Sequence, residues 1–152
     1  MATPTKRRRS GINANSTPPP VGMEKDARAR ATRAHRDATK AFREVVESLV
    51  GHVGAPLVAY IGGVGETRAV RQWITGERQP PSETKSKLQI ALLLAELLNQ
   101  AGQRDAIEPW FLGMNPSLDD HAPAELLRDA QGVKITSTGR RVLAAAREFA
   151  DG

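Results

Sequence analysis

The 152 residues include no cysteine, which removes disulfide frameworks, thiol catalysis and Cys-ligated metal together. Aromatic residues are scarce, 4% of the chain against 39% hydrophobic overall, so any core must be aliphatic and modest. Long β-branched runs and alternating apolar–polar stretches are also missing. Alanine and leucine dominate instead, and the expected fold class is all-α. The longest apolar run, Ile90 to Leu94 continued through "AELL", is interrupted by Glu96 and is too short to span a bilayer. The basic "KRRR" has no apolar stretch behind it, so no secretory signal and no membrane partner are expected, and the chain reads as cytoplasmic.

The usual marks of catalysis are equally sparse. His35, His52 and His121 lack any metal-ligand spacing. Asp119-Asp120-His121 has no nucleophile or phosphate loop near it and suits a turn before a helix. "GGVG" follows a helix, whereas a dinucleotide fingerprint follows a strand. The chain therefore reads as a non-enzyme with no cofactor and no metal.

What is present is charge, unevenly spread. Residues 1–50 hold 11 Lys/Arg against 5 Asp/Glu, residues 51–100 hold 5 against 4, and residues 101–152 hold 6 against 8. A basic front and a mildly acidic back suggest two surfaces with different partners. Residues 1–23 are rich in Pro, Ser, Asn and Gly and are expected to be disordered, with Lys6, Arg7, Arg8 and Arg9 as a phosphate-binding arm or a solubilising tail. Residues 24–50 read as a basic helix. Ala27, Ala31, Ala34, Ala38, Ala41 and Val45 recur at 4-3-4-3 spacing, the seam of a packed helix, with Arg28, Arg33, Arg36, Lys40 and Arg43 largely off it. So thin a seam either frays or pairs with a second copy, and a homodimer is expected; from Ala41 on, Phe42, Val46, Leu49 and Val50 enrich the helix enough to anchor a domain.

Residues 51–81 contain "PLVAYIGGVGETRAVRQWITGERQP". Pro56 suits a helix first turn, three glycines break the chain, and a second helix aligns Val70, Trp73 and Ile74 on one face before Gly76 ends it. That is the plan of a helix-turn-helix, in which early side chains of the second helix reach base edges in the major groove. Arg68 and Arg71 suit guanine, Gln72 suits adenine, and Thr67 suits phosphate or a thymine methyl. Glu66 and Arg78 flank the same surface. Double-stranded DNA is the expected partner, set against a plain helical hairpin with solvated charges.

Residues 82–152 open with a helix over about Glu83 to Gln100, for which Ser82 is the N-cap candidate. Its Leu88, Ala91, Leu92, Ala95 and Leu98 are core by spacing, and Ile90, Leu93, Leu94 and Leu97 make it apolar around most of its girth. Trp110 and Phe111 follow in a short helical turn and are expected in the core. Pro123 opens another short helix, and a last one spans about Thr138 to Ala150, with Arg140, Arg141, Arg147 and Glu148 on its exposed face. Truncation after Asp129 is expected to leave the helix-turn-helix standing.

"RQWITGERQPP" resembles the Xre-type helix-turn-helix ending W-x-x-G-x-x-x-P. From about Val50 to Gly152 the chain resembles the Xre/MbcA/ParS family of antitoxins. The more diagnostic stretch is W-(L/F)-x-x-x-N-P-x-L-x-x-x-x-P-x-x-L-L, matched here by Trp110, Phe111, Asn115, Pro116, Leu118, Pro123, Leu126 and Leu127. The resemblance implies an autorepressor whose C-terminal segment also binds and silences a RES-domain toxin, an enzyme that consumes NAD. On that reading Asn115 to Leu127, with Arg140 and Arg141 of the last helix, would face the toxin. A stand-alone repressor and a protein-interaction adaptor with a degenerate helix-turn-helix are the alternatives.

Overall fold

A computed structural model describes residues 20–152. Those residues form seven α-helices: α1 (Val21–Val53), α2 (Ala55–Gly62), α3 (Thr67–Thr75), α4 (Ser82–Gln100), α5 (Ile107–Leu112), α6 (Pro123–Asp129) and α7 (Lys134–Asp151). Short 3-10 turns cover Arg104–Ala106 and Pro116–Leu118, and no strand occurs among the described residues. The protein is all-α, with a helix-turn-helix followed by a helical C-terminal segment. The chain divides into two compact units, Met1–Arg36 and Asp37–Gly152.

In the first unit the described structure is the N-terminal part of α1. It starts three residues before the expected Glu24, because the Pro20 carbonyl accepts from the amides of Met23 and Glu24 and closes the first turn. Val21, Gly22 and Met23 are thus helical and not part of a tail. Along the alanine seam, Ala27, Ala31, Ala34, Ala38 and Ala41 are all exposed on the single chain. Burial on α1 begins at Phe42 and continues through Val46, Leu49 and Val53, one residue per turn of the helix.

The second unit is organised around α4. Leu88, Ala91, Leu94, Ala95 and Leu98 are inaccessible to solvent, and Leu92, expected among them, is only half-buried while Leu94 takes its place. α4 packs against α2, α5, α6 and most extensively α7. Gly139 of α7 permits that approach, since a Cβ there would stand 2.9 Å from the Ile90 Cδ1. Pro81, not Ser82, occupies the N-cap position, and its carbonyl accepts from the Lys85 amide.

α7 begins four residues earlier than its periodicity suggests. Gly132 turns the chain at φ 56°, and burial of Ile135 draws the β-branched "KITST" stretch into helix against its weak propensity. Because Val142, Ala145 and Ala146 are buried against the rest of the unit, α7 is a structural element and truncation after Asp129 would open the core. A polar clasp joins the first turns of α4 to the end of α6 and the loop that follows it. Lys87 Nζ donates to the Arg128 carbonyl at 2.7 Å, and the Gly132 amide donates to Glu83 Oε1 at 2.9 Å.

Lys87 is the one charged side chain buried among the described residues. Desolvation lowers its pKa below the ordinary 10.5, partly opposed by Glu83 and Asp129. Between that lowered value and 10.5 the unfolded chain binds more protons than the folded one, so stability rises with pH across this alkaline window. Below it the desolvation cost is fully present. Lys87→Met, which keeps the apolar stem, is expected to abolish that rise and hold the melting temperature near the parent's. Lys87→Ala should cost about 1–2 kcal/mol in lost packing. Thermal unfolding of the three proteins from about pH 7 to the top of that window measures both effects.

Candidate nucleic-acid interface

The turn between α2 and α3 contains three glycines, of which Gly63 and Gly62 each carry a structural constraint. Gly63 adopts the left-handed conformation at φ 73°, and its amide donates to the Tyr60 carbonyl at 3.1 Å. The Val64 amide returns to the Ala59 carbonyl at 3.0 Å, which completes a Schellman closure of α2. Gly62 has no such dihedral, but a Cβ on it would lie 2.9 Å from the Trp73 ring, so it is a point of helix–helix contact. Gly65 meets nothing within 4 Å.

α3 enters this turn from Glu66, which is extended at the N-cap position. Ala69, Val70 and Trp73 face inward and pin α3 to the core. The opposite side holds Arg68 and Arg71, both exposed, and Gln72, half-buried. Glu66, Arg68, Gln72 and Arg78 line one shallow groove with Val64, Gly65 and Ala69. Arg68, Arg71 and Gln72 border a second hollow beside it with Thr75 and Glu77. Thr67 is half-buried and lines neither.

Two residues of this face were not singled out from the sequence although the helical period points to them. Thr75 stands seven residues after Arg68 and four after Arg71, and Glu77 follows just past the end. The role of Arg43 had no local signal. Its Nε donates to the Ile74 carbonyl at 2.7 Å, and its guanidinium lies against Gly76, itself left-handed at φ 82°. A cation there satisfies a free carbonyl and complements the negative end of the α3 dipole. Lys6, Arg7, Arg8 and Arg9 lie outside the described residues.

The C-terminal motif is arranged differently from the surface expected of it. Leu118, Pro123 and Leu127 are buried, which removes them from any docking face, and Leu126 is half-buried. Trp110 and Phe111 are core residues that meet edge to face at 5.2 Å. Asn115 is half-buried and works as the hub of a turn: Oδ1 accepts from the Ser117 amide at 2.9 Å and its carbonyl accepts from the amides of Leu118 and Asp120. Pro116 is exposed and opens the 3-10 turn. Asp119 and Asp120 then take left-handed dihedrals, at φ 56° and 65°. Arg141 is occupied by an ion pair with Asp119 at 3.0 Å, and Glu148 accepts from the Ser117 hydroxyl at 2.6 Å, so both tie α7 to this turn. Arg140 is exposed with no such tie among the described residues.

What the motif leaves on the surface is a set of residues outside its signature. Leu112 and Met114 are 54% and 80% exposed, and Phe149 is 39% exposed. Met114 and Phe149 border a hollow of about 450 Å³ that also includes Trp110, Pro116, Ala145 and Glu148. Comparison with protein-family models, curated proteins and solved structures finds no match for this chain.

The three glycines of the turn should separate under substitution. Gly63→Ala places a Cβ in the left-handed region and is expected to cost about 1–2 kcal/mol. Gly62→Ala drives a methyl into a rigid indole, an overpacking cost of roughly 1–3 kcal/mol. Gly65→Ala, with open space around it, should stay within about 0.5 kcal/mol of the parent. Urea unfolding of the three variants checks the order.

Proposed function

We propose that this protein is a DNA-binding transcriptional regulator of the antitoxin type, acting as a homodimer that represses its own promoter and silences a RES-type toxin. One observation carries the DNA-binding part: Arg68, Arg71 and Gln72 project from a helix held by a Schellman-closed turn, with Trp73 locked behind them. Arginine and glutamine there have the donors and acceptors that guanine and adenine edges require, on a scaffold stiff enough to keep them in register. A chain that presented the same residues on a loop would lose free energy in ordering them on each encounter.

The toxin-silencing part is supported by the resemblance of residues 110–127 to the antitoxin signature and by the apolar side chains beside it. Leu112, Met114 and Phe149 offer the exposed anchors that a protein partner needs, whereas Leu118, Pro123 and Leu127 maintain the fold that positions them. The same burial favours a second reading, a stand-alone repressor. A motif consumed by the core is required for folding whether or not a toxin exists. Co-purification with a RES-domain protein encoded beside this gene decides between the two. Capture that is abolished in Met114→Asp supports the toxin reading, and no capture leaves the stand-alone repressor.

For DNA, fluorescence anisotropy with a duplex from the protein's own upstream region is the test. Arg68→Ala and Arg71→Ala are each expected to weaken binding by about 1–3 kcal/mol for a bidentate base contact and to reduce discrimination against a shuffled duplex. Undiminished, equally selective binding by the double variant would place the reading helix elsewhere.

A further inference from the structure

The N-terminal turns of α1 bury none of their side chains. Between Val21 and Arg36 this helix carries Lys25, Arg28, Arg30, Arg33 and Arg36 against Glu24 and Asp26, all of them exposed. Arg28 and Arg30 follow Glu24 and Asp26 by four residues, the spacing that favours pairing on a helix. Among the described residues, however, the ion pairs are His121–Glu125 and Arg141–Asp119, so these cations are unpaired.

We infer that this part of α1 is a phosphate-contacting arm that adds sequence-independent affinity for duplex DNA. The inference rests on the DNA-binding reading of α3 and extends it to a second element. The chemistry of the helix narrows its partner. Four of the five cations are arginine, whose planar fork matches phosphate oxygens. A membrane-surface helix needs bulky apolar residues opposite its basic face. Here that side is Ala27, Ala31 and Ala34 with the single bulky side chain of Met23 one turn earlier, too little apolar surface to anchor in a lipid layer. At about 1.5 Å of rise per residue, Lys25 to Arg36 spans roughly 16 Å, enough to follow a few successive phosphates.

The charge of the reading face adds the complementary reason. Around α3 the cations Arg68, Arg71 and Arg78 are offset by Glu66 and Glu77. Such a face can select bases but attracts the polyanion weakly, because affinity follows the number of phosphates neutralised.

The test uses the full chain with Arg28→Ala, Arg30→Ala, Arg33→Ala and Arg36→Ala combined, a set that removes charge from exposed positions and keeps good helix formers. Circular dichroism confirms unchanged helicity. Anisotropy is measured from about 50 to 200 mM salt on a duplex of the upstream region and on a shuffled duplex of equal length. The salt slope is expected to fall by about 0.9 for each phosphate that the variant leaves unneutralised, and affinity for both duplexes to drop alike, by roughly tenfold or more. Replacing the same four arginines by lysine should restore most of the slope. An unchanged slope in the alanine variant, alongside impaired selectivity in Arg68→Ala/Arg71→Ala, overturns the arm and leaves the reading helix standing. Impaired selectivity with an unchanged slope in the alanine variant overturns it too, since a phosphate arm does not read bases. Absence of duplex binding by the unaltered chain overturns both, as does tighter binding to single-stranded RNA or phosphatidylserine vesicles at the salt where duplex binding disappears.

Discussion

Leu88, Ala91, Leu94, Ala95 and Leu98 of α4 are fully buried, and Ile90, Leu92 and Leu97 are half-covered on its other sides. A helix this apolar cannot lie on a surface. At about 25 cal/mol per Å², baring these flanks would forfeit several kcal/mol of burial; the strip of Gln89, Leu93 and Glu96 is what stays exposed, Leu93 included. Four helices therefore close around it, with α2 from the helix-turn-helix and α5, α6 and α7 from the C-terminal segment. The helix-turn-helix and the C-terminal segment consequently share one core. That sharing accounts for the burial of Leu118, Pro123 and Leu127: Leu118 and Leu127 belong to the same buried cluster as the apolar face of α4. It also makes α7 indispensable, because its Val142 and Ala146 complete the same enclosure.

The shared core has a polar seam where its two halves meet. Arg128 of α6 stacks its guanidinium 4.5 Å from the Tyr60 ring on α2, while its carbonyl receives Lys87 from α4. Glu83 holds the Gly132 amide at the next turn of chain. Each residue in this set bridges elements that are distant in sequence, and none could satisfy its partner alone. A ligand that displaced α6 would have to break the Tyr60 stack and the Lys87 bond together.

The sequence displayed the parts that depend on local chemistry. Helical periods, the Gly63 turn, Gly76 at the end of α3 and Pro123 at the start of α6 are all set within a few residues, and each appears where the pattern places it. The face of α3 was legible for the same reason, since Arg68, Arg71 and Gln72 oppose Val70 and Trp73 on one short helix. Burial on α1 was legible from Phe42 on, where Phe42, Val46 and Leu49 enrich the helix and are buried, but not along the alanines before it, whose spacing shows which share a side and not whether anything covers that side. The Asn115–Leu127 stretch shows the converse difficulty. Its residues cluster because a tight turn and a core need them, and sequence alone does not separate a motif kept for folding from one kept for contact. The Arg43 bond to Ile74 spans 31 positions and depends on how two helices meet, which no local pattern encodes.

That last bond bears on how charge should be counted. Arg43 completes the end of α3, Arg128 covers an aromatic ring and Arg141 holds Asp119, so three arginines that contribute to the net charge of +5 are engaged in the fold. Around α3, Glu66 and Glu77 cancel most of what remains. On the proposed function, a near-neutral reading face has a physical merit. A strongly cationic face binds every duplex, and the discrimination available from a few base contacts, about 1–3 kcal/mol each, is then diluted by non-specific sites. A second set of arginines on α1, outside the reading face, separates the two tasks. On that division α3 sets the preference for one sequence over another, and the arm sets how tightly any sequence is held. The salt concentration then tunes occupancy through the arm without altering the preference set at α3.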